Sequence, residues 1–186
     1  MRLLIASDIH GDSEACERLL YAAKSEGVRK ILLLGDLLYH GPRNPLPEHY
    51  NPKSVISMLN QIKEQLLCVR GNCDTEVDSM VLDFPILSEY AYIYDSEIDL
   101  SLFLTHGHIY SPDKLPSLDI RTVFLYGHTH VPCVKTDCPV TCLNPGSVSL
   151  PKEGNPKTYM LYDTGKFYIK DFNGNIIFNF FYNSQN

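Results

Sequence analysis

The sequence lacks any apolar run of membrane-spanning length, since none approaches the roughly 18 consecutive residues that a spanning helix needs. The apolar N-terminus is interrupted at Asp8, which makes it too short for a signal-peptide core. The sequence also lacks a cluster of Lys and Arg, and its net charge is −6. We therefore expect a cytoplasmic protein with no membrane partner and no dedicated nucleic-acid surface.

Paired cysteine motifs are missing as well, because no C-x-x-C occurs. The six cysteines are Cys16, Cys68, Cys73, Cys133, Cys138 and Cys142. In a cytoplasmic protein they should be reduced thiols. The group at 133, 138 and 142 could suggest a zinc knuckle, but its spacing fits no common zinc site. We interpret Cys16, Cys68 and Cys142 as small core residues.

The chain of 186 residues, with 44% hydrophobic and 20% charged residues, is an ordinary globular sequence. We predict one domain over residues 1–186. Short continuous apolar runs predict strands at 2–7, 30–34 and 66–70, and helical spacing predicts helices at 13–26 and 53–64. The resulting β-α-β-α-β order favours a parallel sheet that is covered on both faces.

The second half of the chain is richer in strands. Residues 86–94 and 98–105 read as a hairpin. Further strands are predicted at 121–126, 133–136, 139–143, 157–163, 166–171 and 175–182. No linker or internal repeat separates the two halves, so we expect an α/β domain of two packed sheets with outer helices.

Metal-type side chains follow five of the apolar strands. They are Asp8 and His10, Asp36, Asn72, His106, and His128 with His130. In open α/β sheets the carboxyl ends of the strands form the edge where sites lie. Carboxylates, imidazoles and one amide oxygen suit Mn²⁺, Fe²⁺ or Zn²⁺ better than Ca²⁺. Seven ligands exceed the need of one ion and suit two ions that share a carboxylate.

The ordered motifs D-x-H, GD, GN-x-D, a strand-final His and GH-x-H resemble the calcineurin-like metallophosphoesterase superfamily from residue 2 to about residue 170. The stretches VRGNCD, FLTHGH, YGHTH and NPGSVS belong to this resemblance. Each motif alone is weak, and a single one could be a helix cap or a core histidine, but the ordered set is specific. The resemblance implies a four-layer α/β/β/α sandwich of two mixed sheets flanked by helices.

The resemblance also implies how the ligands divide. Asp8, His10 and His130 would hold one divalent metal ion, whereas Asn72, His106 and His128 would hold the other. Asp36 would bridge the two. Mn²⁺ is the expected metal, with Fe²⁺, Zn²⁺, Ni²⁺ and Co²⁺ as alternatives. A water or hydroxide between the ions would attack phosphorus, and the catalytic group would comprise Asn72, Cys73, Asp74 and His106.

Cys73 departs from the wider superfamily, in which many members carry histidine at this position and can protonate the leaving group. A thiol is a poor substitute because its ordinary pKa is near 8.5. We therefore interpret Asn72 as the ligand, Asp74 as a residue behind it, and Cys73 as the occupant of the acid's position. A nucleophilic or redox thiol is the competing interpretation.

The function that this implies is hydrolysis of a small phosphodiester. A nuclease of the same fold is one alternative, and the absence of a basic face speaks against it. A non-catalytic scaffold of the retromer-subunit type is another. The presence of all seven ligands favours the enzyme.

Other residues carry weaker expectations. His108 should lie just behind the ligands, whereas His40 and Arg43 either shape substrate binding or are solvated. His49 should be on the surface, and Asn144 and Gly146 should belong to a type II turn beside the site. The rings of Phe178, Phe180, Phe181 and Tyr182 exceed what one strand face can bury, so we predict a homo-oligomer.

Overall fold

The structure is a computed structural model that describes residues 1–183. It consists of two mixed sheets packed face to face. The first sheet has six strands in the order β11-β10-β9-β1-β2-β3, and the second has five in the order β4-β5-β6-β8-β7. This confirms the predicted α/β fold of two packed sheets.

The strands of the first sheet are β1 Arg2–Ala6, β2 Ile31–Leu33, β3 Leu66–Cys68, β9 Thr158–Asp163, β10 Lys166–Asp171 and β11 Ile176–Phe181. Those of the second are β4 Tyr90–Asp95, β5 Leu100–Thr105, β6 Thr122–Leu125, β7 Cys133–Lys135 and β8 Thr141–Asn144. The predicted β4–β5 hairpin is confirmed. The runs β1-β2-β3 and β5-β6-β8 are parallel, so their carboxyl ends point to one edge of each sheet.

The strand β1 is apolar and buried from Leu3 to Ala6 because both of its faces are covered. Leu4 packs toward the helices, whereas Leu3 and Ile5 pack toward the second sheet. Successive side chains of a strand point to opposite faces, so a strand between two covered faces must be apolar at every position. Two layers of the core therefore lie on the two sides of the first sheet.

The two α-helices cover the outer face of the first sheet and pack on each other. The helix α1, Ser13–Ser25, begins where Asp12 accepts a hydrogen bond from the Ala15 N–H. The helix α2, Pro52–Gln61, is capped in the same way by Asn51. It ends before residue 64, the predicted limit, because a 3₁₀ turn at Lys63–Gln65 follows. Short 3₁₀ structure also forms at Asp78–Met80. No helix within residues 1–183 has the length and hydropathy to cross a membrane.

The outer face of the second sheet is covered differently from the helical layer implied by the resemblance. Phe103 and Phe124 pack there against Tyr110, Leu115 and Leu118, which come from the segment between β5 and β6. That segment contains prolines at positions 112 and 116, which interrupt helical hydrogen bonding. Within the described residues this layer is a loop, and the expected helices on this side are absent.

The last strand lies at an edge of the first sheet. Phe180 and Tyr182 pack on the core, but Ile176, Phe178 and Phe181 are exposed. The strand therefore presents apolar side chains together with an open row of backbone donors and acceptors.

Candidate metal centre

The seven predicted ligands lie together where the carboxyl edges of the two sheets meet. A backbone hydrogen bond joins the two edges, in which the Val148 N–H donates to the Ser7 carbonyl at 3.2 Å. Five of the seven ligands have a positive backbone φ: Asp8, His10, Asp36, His128 and His130. Non-glycine residues rarely adopt this conformation, and such strain concentrates at functional sites.

The first group consists of Asp8, His10 and His130, all buried. The Nε2 atoms of His10 and His130 are 3.2 Å apart. Asp8 Oδ1 lies 3.6 Å from His10 Nε2 and 3.3 Å from His130 Nε2. These three atoms therefore surround one point.

The second group is arranged around His106 Nε2. This atom lies 3.0 Å from Asn72 Oδ1 and 3.2 Å from His128 Nδ1. His106 is buried, whereas Asn72 is exposed and His128 is half-buried, so this group opens toward solvent.

Asp36 lies between the two groups. Its Oδ2 is 3.7 Å from His10 Nε2 and 3.4 Å from His106 Nε2. Its Oδ1 accepts the Cys73 N–H at 2.8 Å, which fixes the plane of the carboxylate. Asp36 therefore contacts one histidine of each group.

Asp74 supports Asp36 from behind. Its carboxylate accepts hydrogen bonds from the N–H groups of Asp36, Leu37 and Gly71 at 2.9, 2.9 and 2.7 Å. These bonds join the turns after β2 and β3. The interpretation of Asp74 as a residue behind the ligands agrees with this geometry.

The ring orientations favour a cation in each group. The Nδ1 atoms of His10, His106 and His130 face the carbonyls of Tyr39, Leu34 and Leu150 at 2.7, 2.7 and 2.6 Å. A carbonyl can only accept, so each Nδ1 donates and each neutral ring presents the lone pair of Nε2 to its group. Lone pairs at these distances repel unless a proton or metal ion lies between them.

The buried Asp8 Oδ1 adds to this fit, since it accepts no hydrogen bond from any described residue. An unpaired buried carboxylate oxygen is costly, and a coordinated metal ion would satisfy it. The donor set therefore fits divalent metal ions.

The electrostatics of the metal-free chain follow from the same contacts. Burial opposes the charge of Asp8, but the close imidazoles of His10 and His130 outweigh it and hold its pKa well below the ordinary value. Burial likewise opposes the charge of His106, but the hydrogen bond with Asp36 and the field of Asp8 raise its pKa to about 9. Protons thus occupy positions where metal ions would bind.

Cys73 is buried beside the site. Its backbone binds Asp36, and its Sγ lies 3.2 Å from Asn72 Nδ2. Burial and the neighbouring Asp36 raise the pKa of this thiol to about 12 in the metal-free chain.

The remaining predicted residues are placed as follows. The exposed His108 has its ring centroid 5.3 Å from that of His106. Partial loss of hydration, together with the charges of His106 and His128, lowers its pKa to about 4. His40 lies edge-on to the rings of Tyr39 and Tyr50. His49 is exposed and lies 3.0 Å from Glu14, outside the site.

The end of β8 and the segment that follows it support the metal ligands through hydrogen bonds. The sequence did not reveal the roles of the individual residues in this segment. Ser147 and Ser149 both donate to the Asp8 carbonyl, at 2.9 and 2.8 Å. The Asn144 amide donates to the Gly127 carbonyl at 2.9 Å, next to His128. Gly146 has φ 79°, as the predicted type II turn requires.

A cavity of about 590 Å³ opens over the two groups. It is lined by Asp36, Tyr39, Gly41, Pro42, Arg43, Asn44, Asn72, Cys73, Thr75, His128, His130 and Lys152. Arg43 was a candidate from the sequence, whereas Lys152 and Tyr39 were missed. No local motif marks Lys152, because its place depends on the fold.

Comparison with known proteins tests the resemblance. The calcineurin-like phosphoesterase superfamily domain matches residues 1–166. The chain is 46% identical over 163 residues to phosphodiesterase YfcE of Escherichia coli strain K12, which covers 88% of each chain.

Solved structures show the same fold. The structure of the E. coli phosphoesterase YfcE matches with a TM-score of 0.94 and 42% identity, over 98% of this chain and 100% of that one. Vacuolar protein sorting 29 of Cryptosporidium parvum matches with a TM-score of 0.62 and 18% identity, over 97% and 98% of the two chains, and shares the fold alone. With the family domain matched over most of its length, this chain belongs to the calcineurin-like phosphoesterase superfamily.

Proposed function

We propose that this protein hydrolyses small phosphodiesters with two divalent metal ions, of which Mn²⁺ is the expected metal. The observation that carries the proposal is the pair of ligand groups around Asp36, whose Oδ2 lies within 3.7 Å of His10 Nε2 and 3.4 Å of His106 Nε2. The similarity to YfcE, which is named a phosphodiesterase, supports the choice of diesters.

The residues would divide as the family resemblance implied. Asp8, His10 and His130 would hold one ion, and Asn72, His106 and His128 the other, with Asp36 shared. The placement of His128 suggests coordination through Nδ1, since this atom is the one near His106. When bound, the two ions would neutralise the charge on the phosphate and make water a nucleophile near neutral pH.

The chain's own contribution is to hold these ligands rigidly. Asp74 fixes the turn that carries Asp36, and three backbone carbonyls fix the tautomers of His10, His106 and His130. Such outer contacts typically change metal affinity or activity by about 10- to 100-fold when they are lost. Asn72 and His128 line the cavity, so they are positioned to meet a phosphate that enters it, whereas His106 is buried behind them.

The two alternatives fit less well. A nuclease needs a surface that tracks a charged backbone, whereas the site lies in a cavity of about 590 Å³ in a chain with net charge −6. A scaffold does not need a complete ligand set, and here all seven side chains converge. We therefore place the activity on a small diester rather than on a polymer or a protein partner.

The test is metal content together with turnover. We expect the protein saturated with Mn²⁺ to hold two ions per chain and to lose activity on chelation. Asp36→Ala should lose both ions, because removal of the shared carboxylate leaves their mutual repulsion uncompensated. His10→Ala should mainly weaken one ion. His49→Ala, an exposed histidine outside the site, is the matched control and should behave as the parent protein.

Elemental analysis that finds at most one ion under saturating Mn²⁺ would contradict the dinuclear proposal. Full activity on bis(p-nitrophenyl) phosphate after exhaustive chelation would contradict the metal requirement itself.

A further inference from the structure

Two basic side chains at the rim of the cavity have no task in the site described so far. Arg43 and Lys152 both line the cavity, and both are exposed. Neither has an ion pair or a side-chain hydrogen bond within residues 1–183. Many other cations of the chain are engaged, such as Lys157 with Asp12 at 3.1 Å and Lys63 with Asp83 at 3.1 Å.

The backbone that carries Arg43 is fixed. Asn44 N–H donates to the Gly41 carbonyl, and the Asn44 amide donates to the His40 carbonyl at 2.8 Å. The resulting turn has Pro42 at its second position, which is the preferred place for proline. A Cβ at Gly41 would lie only 3.2 Å from Cys73 Sγ, so this turn sits directly against the metal-site turn.

The backbone of Lys152 is fixed from the opposite group of ligands. Its N–H donates to the His130 carbonyl at 3.1 Å, and its carbonyl accepts from both the backbone and the side chain of Asn155. The connection to the site is short, since His130 in turn binds the Leu150 carbonyl. Hydrogen bonds thus fix both backbone segments: the turn that carries Arg43 lies against Cys73, and the one that carries Lys152 is bonded to His130.

Basic side chains outnumber carboxylates around the cavity. Asp36 is the only carboxylate among the described residues that line the cavity, and it is committed to the ligand groups. Placing two unpaired cations beside a cation-binding site is unfavourable by Coulomb repulsion unless the ligand brings negative charge. A single phosphodiester carries one negative charge, which the ligand groups and their ions would already meet.

We propose that Arg43 and Lys152 bind a second anionic group on the substrate. The preferred substrate class is therefore a phosphodiester in which one alcohol portion bears an additional phosphate-like group. This inference rests on the proposed phosphodiesterase function and extends it to the part of the substrate that does not react. Guanidinium and ammonium groups are the common binders of phosphate in proteins.

A pair of matched esters tests this directly. Both are p-nitrophenyl butyl phosphates, one with the butyl chain ending in a hydroxyl and the other ending in a phosphate. They share the reacting phosphorus and the leaving group, so the rate of chemistry should be alike. We expect the parent protein to prefer the phosphate-terminated ester, mainly through a lower KM.

The variants are Arg43→Gln, Lys152→Gln and the control Lys166→Gln. Lys166 is an exposed cation at the start of β10, at the end of the first sheet remote from the site, so its loss changes net charge equally. Each rim variant should lower the preference for the phosphate-terminated ester about tenfold, a typical cost of losing one charge-assisted contact. Lys166→Gln should leave the preference unchanged.

The outcomes separate the two proposals. Equal KM values for both esters in the parent protein, or an undiminished preference in both rim variants, would overturn the role of Arg43 and Lys152. A preference that falls equally in Lys166→Gln would show a general field effect and would also overturn it. Failure to hydrolyse either ester with Mn²⁺ present would instead contradict the phosphodiesterase function.

Discussion

We interpret Cys73, from the family resemblance, as the occupant of the position of a general acid. Its pKa is raised to about 12 by burial and by Asp36, so the thiol of the metal-free chain stays protonated at neutral pH. A proton held so tightly is neither released to a leaving alkoxide with ease nor removed to form a nucleophile. The raised pKa of the thiol in the metal-free chain therefore supports the interpretation of Cys73 as a weak substitute for the acid.

We expect hydrolysis to depend steeply on the leaving group, with phenyl esters reacting much faster than alkyl esters. Cys73→His should restore alkyl esters selectively, because general-acid catalysis is typically worth about 10²–10⁴-fold. Cys73→Ser should change little, and Cys133→Ser is the control thiol outside the site. The measurement compares hydrolysis rates over a series of esters whose leaving groups differ in pKa. A Cys73→Ser protein that binds both ions but has no hydrolytic activity would show instead that the thiol takes part in the reaction.

The histidines make metal binding depend on pH. At pH 7 the metal-free His106 is protonated, since its pKa is raised to about 9 by Asp36 and Asp8 against the opposing effect of burial. A ligand must be neutral, so binding at the second group releases a proton, and affinity should rise by up to about tenfold per pH unit toward pH 9. Calorimetry in two buffers of different ionisation enthalpy counts the protons, with His49→Ala as control. Equal affinity at pH 6.5 and 8.5 would contradict this linkage.

The same proton has the opposite effect on the metal-free fold. A histidine whose pKa is higher in the folded state stabilises the protein below its ordinary pKa near 6.5. That contribution is lost as the pH rises through about 9. The free energy of unfolding of the metal-free chain should therefore fall over the range in which metal affinity grows.

At the scale of elements, the turns after β2 and β3 approach each other without room for a side chain. A Cβ at Gly71 would lie 2.1 Å from Asp36 Oδ1 and 2.3 Å from its backbone nitrogen. Gly35 meets Gly71 equally closely, at 2.3 Å. The two glycines thus set the distance between the strand ends that carry Asp36 and Asn72.

We expect Gly71→Ala to displace Asp36, to lose metal binding and to cost about 1–3 kcal/mol of stability, as overpacking does. Gly174→Ala is the matched control. Its φ of 88° strains the backbone, but no atom lies within 4 Å of the added Cβ, so it should cost only about 1 kcal/mol and retain both ions. Urea unfolding and metal titration of both variants provide the comparison. Tight binding of two ions by Gly71→Ala would contradict this account.

The elements that could be predicted are those whose signal is local. The strands β1, β2 and β3 are short apolar runs that end in Asp8, Asp36 and Asn72, so parallel pairing alone brings their ends to one edge. The layer over the second sheet could not be predicted in the same way. It is a loop because residues such as Tyr110 and Leu115 pack individually on Phe103 and Phe124 without helical periodicity.

The convergence of the seven candidate ligands could be predicted from the sequence, but their geometry could not. The left-handed backbone of His10 or His128 depends on contacts with distant turns, such as the His10 N–H bond to the Asp36 carbonyl at 2.9 Å. Lys152 likewise reaches the cavity only because its backbone binds the His130 carbonyl. Long-range contacts of this kind leave no trace in residue spacing.

At the scale of the whole molecule, the open edge of β11 predicts self-association. Phe178 and Phe181 are 41% and 55% exposed beside unpaired backbone groups, which is a combination that monomers normally avoid. We expect a homo-oligomer, and Phe181→Lys should shift its mass toward the monomer because it places charge on that edge. Tyr21→Lys, which changes an exposed aromatic residue on α1, should leave the mass unchanged. A sharp monomer mass for the parent protein at high concentration would contradict the prediction.

The left-handed backbone of five ligands has an evolutionary consequence. Each such residue stores on the order of 1–3 kcal/mol of strain, which selection tolerates only while the ligand is useful. Replacement of Asp8 or His128 by glycine would remove the ligand and relieve the strain in one step, provided the fold keeps its two sheets. On this strain term alone, loss of a ligand and gain of stability lie in the same direction. The gain is opposed by the extra conformational entropy of glycine in the unfolded chain and, at Asp8, by the loss of the acceptor for the His128 N–H.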